Sequence, residues 1–218
     1  SDINKLKGST DKATSSFGGM AKTVAGVAGS LLALGGAKGV LDGVVNRVDA
    51  IHGAKASMTL FFDGDTSKAE RAVEETVDII AGTPITLDFA MESVTKGIAS
   101  GMDEVKASKA FQIAGDASFA IKGSEEGIEP IMRTFTQIET AGAITLGHLR
   151  SLEDQGVPAV KILASELGVT TEELEKMATG GELTAEQMDI LWKGMEEGTD
   201  ATVAFGGQMS SAGDSIQG

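Results

Sequence analysis

GAITLGHLRSLEDQGVPAVKILASELGVTTEELEKMATGGELTAEQMDILWKGM, residues 142–195, starts a helix in the same manner three times. In each case a glycine is followed within three residues by an aliphatic side chain and a threonine, and a second apolar side chain lies four places after the threonine. The units are Gly142-Ala143-Ile144-Thr145 with Leu149, Gly168-Val169-Thr170 with Leu174, and Gly181-Glu182-Leu183-Thr184 with Met188. A threonine in that position is an N-cap whose hydroxyl accepts one of the orphan N–H groups of the first turn. The flanking apolar pair is a hydrophobic staple, and Glu173 and Gln187 complete capping boxes three residues after Thr170 and Thr184. His148 holds the corresponding place after Thr145. The segment therefore reads as a run of short, sharply bounded helices.

Outside this run the apolar spacing is also helical. Leu87, Ala90, Met91, Val94, Ile98 and Met102 fall at intervals of three and four from Thr86, and Ile128, Ile131, Met132, Phe135 and Ile138 repeat the pattern. Between them, residues 104–121 carry Val105, Phe111, Ile113 and Ala114 on a less regular face. A further helix is predicted from Ser67, capped by its own hydroxyl with Glu70 reaching back, to Ala81, where Gly82 and Pro84 stop it. Few stretches show the β-branched, period-two alternation of strands. The fold class is all-α: a compact multi-helix domain with connections short enough to fold neighbouring helices back on each other.

Composition narrows the chemistry. The chain has 218 residues, no cysteine, no tyrosine, one tryptophan and 29 glycines. Absence of cysteine excludes a disulfide framework, thiolate metal sites and a cysteine nucleophile. Residues 1–50 carry six Lys/Arg against four acids, so the net charge of −14 leaves −16 on residues 51–218. Such a domain repels polyphosphate, and no nucleic acid is expected as a partner.

Two zones are expected, a glycine/alanine-rich N-terminal arm or helix over residues 1–50 and a globular helical domain over 51–218. The longest uncharged run of the arm, Thr23 to Ala37, is 15 residues, against the roughly 20 that span a bilayer. Gly35, Gly39 and Gly43 would form one smooth stripe on a helix, a candidate interface for close backbone approach. The start is neither an initiator methionine nor the compact basic opening of a signal peptide, and reads as a piece of a longer protein.

Several motifs invite a chemical reading. Leu163-Ala164-Ser165-Glu166-Leu167-Gly168-Val169-Thr170 with Leu174 has the outline of a helix-turn-helix, but the second helix would offer the major groove Glu172, Glu173 and Glu175 against Lys176 alone. Asp63-Gly64-Asp65 with Glu74 matches three calcium-loop positions, yet Lys68 replaces the glycine such a loop needs; a solvated turn is the preferred reading. His52 and His148 lack metal spacing. The acidic pairs Asp103-Glu104, Glu125-Glu126, Glu153-Asp154 and Glu196-Glu197 are adjacent in sequence and diverge on a helix. No nucleophile elbow or phosphate loop is present. No catalytic residue, metal ligand or cofactor site is assigned, and the protein is not expected to be an enzyme. Trp192 is a core plug or an interface anchor.

The order of Gly156-Val157-Pro158, Leu163-Ala164, Leu167-Gly168-Val169-Thr170, Glu173-Leu174 and Gly180 resembles the conserved domain of phage tail tape measure proteins. The resemblance extends to Ala81–Pro84 upstream and to Phe205-Gly206-Gly207-Gln208-Met209 downstream, covering about residues 73–218. It implies a virion structural protein made in the bacterial host's cytoplasm and housed in the tail lumen. Such proteins set tail length, associate with further copies and with tube, tail-tip and assembly-chaperone proteins, and leave the tail at genome ejection, when a host membrane could be met. Glycine every few residues departs from the long rods of that family, so the ruler would lie in other parts of the protein. The alternatives are a peptidoglycan-hydrolase domain carried by a tail protein, for which a Cys/His pair or metal-binding histidines are missing, and a membrane-active helical protein.

Overall fold

The computed structural model describes residues 51–217. Among them are ten α-helices and no strand. They are α1 (51–61), α2 (Thr66–Ile80), α3 (Leu87–Ala99), α4 (Glu104–Lys122), α5 (Ile128–Ala141), α6 (Leu146–Asp154), α7 (Ala159–Leu167), α8 (Thr171–Gly180), α9 (Met188–Glu197) and α10 (Gln208–Gln217). Single turns of 3-10 helix at Glu125–Gly127 and Ala185–Gln187 lead into α5 and α9. The all-α expectation agrees with this architecture. The glycine stripe at Gly35, Gly39 and Gly43 lies outside the described residues.

The first turn corrects one cap. Asp63 and Gly64 take left-handed φ values of 54° and 91°, which reverse the chain between α1 and α2. The cap of α2 is Asp65, not Ser67: Asp65 Oδ1 accepts from the Ser67 and Lys68 N–H groups at 3.0 and 3.4 Å and from the Ser67 hydroxyl at 2.6 Å. A carboxylate gains from the positive end of the helix dipole as a hydroxyl does not, so the aspartate takes the role. These contacts also hold the Asp65 carboxyl below its usual range, the Ser67 hydroxyl first. Glu70 turns instead to the ammonium of Lys55 on α1.

Helix α4 is the centre of the domain. It is packed by α2, α3, α5, α9 and α10, so it buries residues round most of its circumference, among them Ala107, Ala110, Phe111, Ala114, Gly115, Asp116 and Ser118. A helix surrounded in this way has no single apolar stripe, which explains why its spacing looked irregular. Val105, counted above with the apolar face, is 57% exposed. The small side chains let neighbouring helices approach closely: a Cβ on Gly97 of α3 would lie 3.1 Å from Ala107 Cβ. At the helix start, Arg71 of α2 pairs with the buried Glu104, and that ion pair holds the Glu104 carboxyl below its usual range. Ser118 joins α4 to the entry of α5, donating to the Ser124 carbonyl at 2.6 Å and accepting from the Gly127 N–H at 2.9 Å.

Helices α3 and α5 bury the faces their spacing predicts, with Ala90, Met91, Val94 and Ile98 on one and Ile128, Ile131, Met132, Phe135 and Ile138 on the other. Helices α6 to α9 then pack as a short array against α4 and α5, and α10 returns to α4.

Candidate functional site

The array of residues 142–197 is built on its caps. Thr145 Oγ1 accepts from the His148 N–H at 3.2 Å, and His148 Nδ1 accepts from the Thr145 N–H at 3.2 Å. Thr170 and Glu173 form the same reciprocal pair at 3.2 and 2.9 Å. At Thr184 the Gln187 Oε1 accepts from the Thr184 N–H at 2.7 Å. Here the first turn is 3-10 and the α-helix begins only at Met188. Of the staple residues, Ile144, Leu149, Leu174, Leu183 and Met188 are fully buried, and Val169 is partly buried against the core.

Two of the three repeated units lie side by side. Ala143 and Thr184 form an antiparallel bridge, with the Ile144 N–H donating to the Leu183 carbonyl at 2.9 Å and the Ala185 N–H to the Gly142 carbonyl at 3.1 Å. Backbone groups that would otherwise be orphaned beside a helix start are thereby satisfied. This pairing is not legible locally, because the partners are some forty residues apart.

The remaining turn residues each have a definite task. Gly168 caps α7 at φ 68°. Gly156 has φ 92°, and a Cβ there would lie 2.7 Å from Ile121 Cγ2. The Gly156-Val157-Pro158 turn therefore seats directly on the end of α4, where Lys122 Nζ also donates to Gln155 Oε1 at 3.0 Å. Val157 is fully buried and Pro158 is the N-cap of α7. Trp192 is fully buried, its ring edge-on to Phe135 with centroids 5.3 Å apart. The structure thus places it in the core.

His148 is the member of these caps whose side chain titrates near neutral pH. Desolvation by burial pushes its imidazole below the usual 6.5, against a smaller opposing contact with Ala143. As a cap acceptor, Nδ1 must be unprotonated. The unfolded chain binds the proton near 6.5 and the folded chain only below that, so this contribution is fully present above 6.5 and is lost as pH falls through the lower folded value. The urea midpoint is expected to drop more between about pH 7.5 and about pH 5.5 in the wild type than in His148→Gln, whose amide caps without titrating. Equal drops would mean that the histidine is not acting as a cap.

The outer surface of the array is acidic. An open cleft of about 410 Å³ is lined by Ser165, Glu166, Glu197, Gly198, Thr199, Asp200, Thr202 and Ala204. Lys193 bridges Glu166 and Glu197 at its rim, at 3.5 and 3.9 Å. Gly198 shapes the cleft, with φ 79° and ψ 172°. On α8, Glu172, Glu173 and Lys176 face solvent, so the helix-turn-helix outline presents carboxylates where a DNA reader needs donors. A second cleft of about 290 Å³ lies between α1 and α3, lined by Gly53, Ala54, Ser57, Met91 and Thr95 among others. Among the described residues no group of three His, Asp or Glu side chains is placed to hold a metal ion, and no helix is long and apolar enough to cross a membrane.

The tape measure protein family model matches residues 42–218. The chain belongs to the tape measure protein family. Its role is accordingly that of a structural protein of the phage tail. A search of the curated proteins and of the solved structures finds no match. The tape measure segment takes in all ten helices, so the clefts and acidic faces described above lie within it. Sequence reading missed the cleft of residues 165–204 and the buried Asp116, because each depends on residues brought together from distant parts of the chain.

Proposed function

We propose that residues 51–218 are a docking and assembly domain of a tape measure protein, and that tail length is set by other parts of that protein. The observation that supports this is helix length. Among the described residues the longest helix, α4, has 19 residues, about 28 Å at 1.5 Å per residue, and its neighbours fold back on it. In this reading the domain sits in the tail lumen after synthesis in the host cytoplasm, with residues 1–50 as a separate arm whose Gly35, Gly39 and Gly43 stripe meets further copies of the chain. Its acidic exterior favours basic surfaces on tube, tail-tip and chaperone proteins, and the domain leaves the tail with the genome at ejection.

Duplicating residues 51–218 in the phage tests the division of labour. As part of a helical ruler, roughly 170 added residues would lengthen the tail by about 250 Å. The expected result in electron micrographs is tails of unchanged length, or none assembled. Longer tails would show that this segment is itself the ruler. Crosslinking in the purified tails identifies which tail proteins residues 51–218 touch.

A further inference from the structure

We propose that the outer face of α1 is a contact between copies of this chain, made by two α1 helices lying antiparallel about a two-fold axis. Helix α1 is fixed to its own domain on one side. Met58 is fully buried, Ile51 and Ala54 pack partly buried against the core, and Lys55 pairs with Glu70 of α2. The residues left exposed are His52, Gly53, Ala56, Ser57, Leu60 and Phe61, which recur at the spacing of one helical stripe. None of them is an Asp, Glu, Lys or Arg, and Leu60 and Phe61 are 80% and 51% exposed. A surface helix turns its charged residues to water; α1 does the reverse.

Shape and charge both select a second copy as the occupant. A Cβ on Gly53 would meet nothing within 4 Å, so the chain's own packing does not call for a glycine there, where glycine weakens a helix. Its smallness serves an approach from outside. With the axis between Ala56 and Ser57, antiparallel helices set Gly53 opposite Leu60 and His52 opposite Phe61, and the small residues meet where the backbones cross. A two-fold contact requires such self-complementarity. Elsewhere α2, α3, α8 and α9 turn carboxylates such as Glu74, Asp88, Glu172 and Asp189 to solvent. A basic partner is drawn to those faces, whereas a second copy, with the same −16 on residues 51–218, is repelled by them and meets no carboxylate on α1. Asp88 and Glu92 stand across the α1–α3 cleft, Glu92 paired with Lys96 at 2.9 Å. The stripe is about 16 Å long, short of the about 800 Å² per partner that a stable dimer buries. The contact is therefore weak, and is populated where copies are held close together.

The chain has no cysteine, so a single introduced thiol reports the contact. In the full chain, a short bis-maleimide is expected to link Ser57→Cys into dimers at least ~10-fold faster than Thr179→Cys, an exposed control on α8. Leu60→Glu added to Ser57→Cys should return linking to the control rate, and so should Gly53→Leu. Combining Gly53→Leu with Leu60→Ala exchanges large and small across the axis and should restore most of it. Circular dichroism melts of these variants should match the wild type, since each changed side chain is exposed. Linking of Ser57→Cys at the control rate overturns the proposal. So does linking that Leu60→Glu and Gly53→Leu leave unchanged, or loss of the fold in either, which would make the face part of the core. An oligomer seen by light scattering in which Ser57→Cys does not link leaves the stripe of residues 35–43 standing and overturns the α1 contact. Linking of Ser57→Cys to another tail protein in place of itself, in assembled tails, does the same.

Discussion

Replacing Trp192 with alanine is expected to cost about 3–5 kcal/mol, a large share of the roughly 5–15 kcal/mol that holds a domain folded. The ring is fully buried and meets Phe135 edge-on at an interplanar angle of 68°, a contact worth about 0.5–1.5 kcal/mol beyond its buried area. Its indole N–H has no hydrogen-bond acceptor among the described residues. Phenylalanine removes that uncompensated donor along with part of the volume, so Trp192→Phe should cost less than half as much as Trp192→Ala. Urea titrations followed by circular dichroism measure both, since the chain has no other tryptophan and no tyrosine. An alanine variant within about 1 kcal/mol of the wild type would mean that the ring is not a core element.

The second large effect belongs to the paired helix starts. Ile144 and Leu183 are each fully buried, and their backbones are bonded across the bridge. Either residue changed to alanine should cost about 2–5 kcal/mol. The two losses should not add: once one staple is gone, the bridge loosens and the other has less to lose. A double-mutant cycle is expected to show a coupling of about 0.5–3 kcal/mol. Strict additivity would mean that the two caps are independent and that their adjacency has no energetic content.

What could be read from the residues divides by range. Thr170 and Glu173 were legible because a capping box is closed within four residues, and the faces of α3 and α5 because each packs on one side only. Asp65 was passed over for Ser67 because two good cap residues stand two apart, and choosing between them depends on where the preceding turn ends. Helix α4 was obscured because neighbours on most sides remove the contrast that periodicity needs. Asp116 gave no local signal at all: its donors, Gly207 and Met209, lie more than ninety residues away. The candidate site follows the same division. Its turns were visible in sequence, and the cleft between α7 and the residues after α9 was not.

The bridge between Ala143 and Thr184 also bears on the order of events when the chain first folds. Closing a loop of about forty residues costs about 3 kcal/mol of chain entropy beyond a constant, which two backbone hydrogen bonds alone do not recover. The loop is not slack, however, for α6, α7 and α8 lie within it and shorten the distance its ends must search. The helix pairs 146–167 and 159–180 are thus expected to form early, with the bridge joining only as α9 arrives. The bridge is thereby a contact of high sequence separation that the local helix pairs must precede.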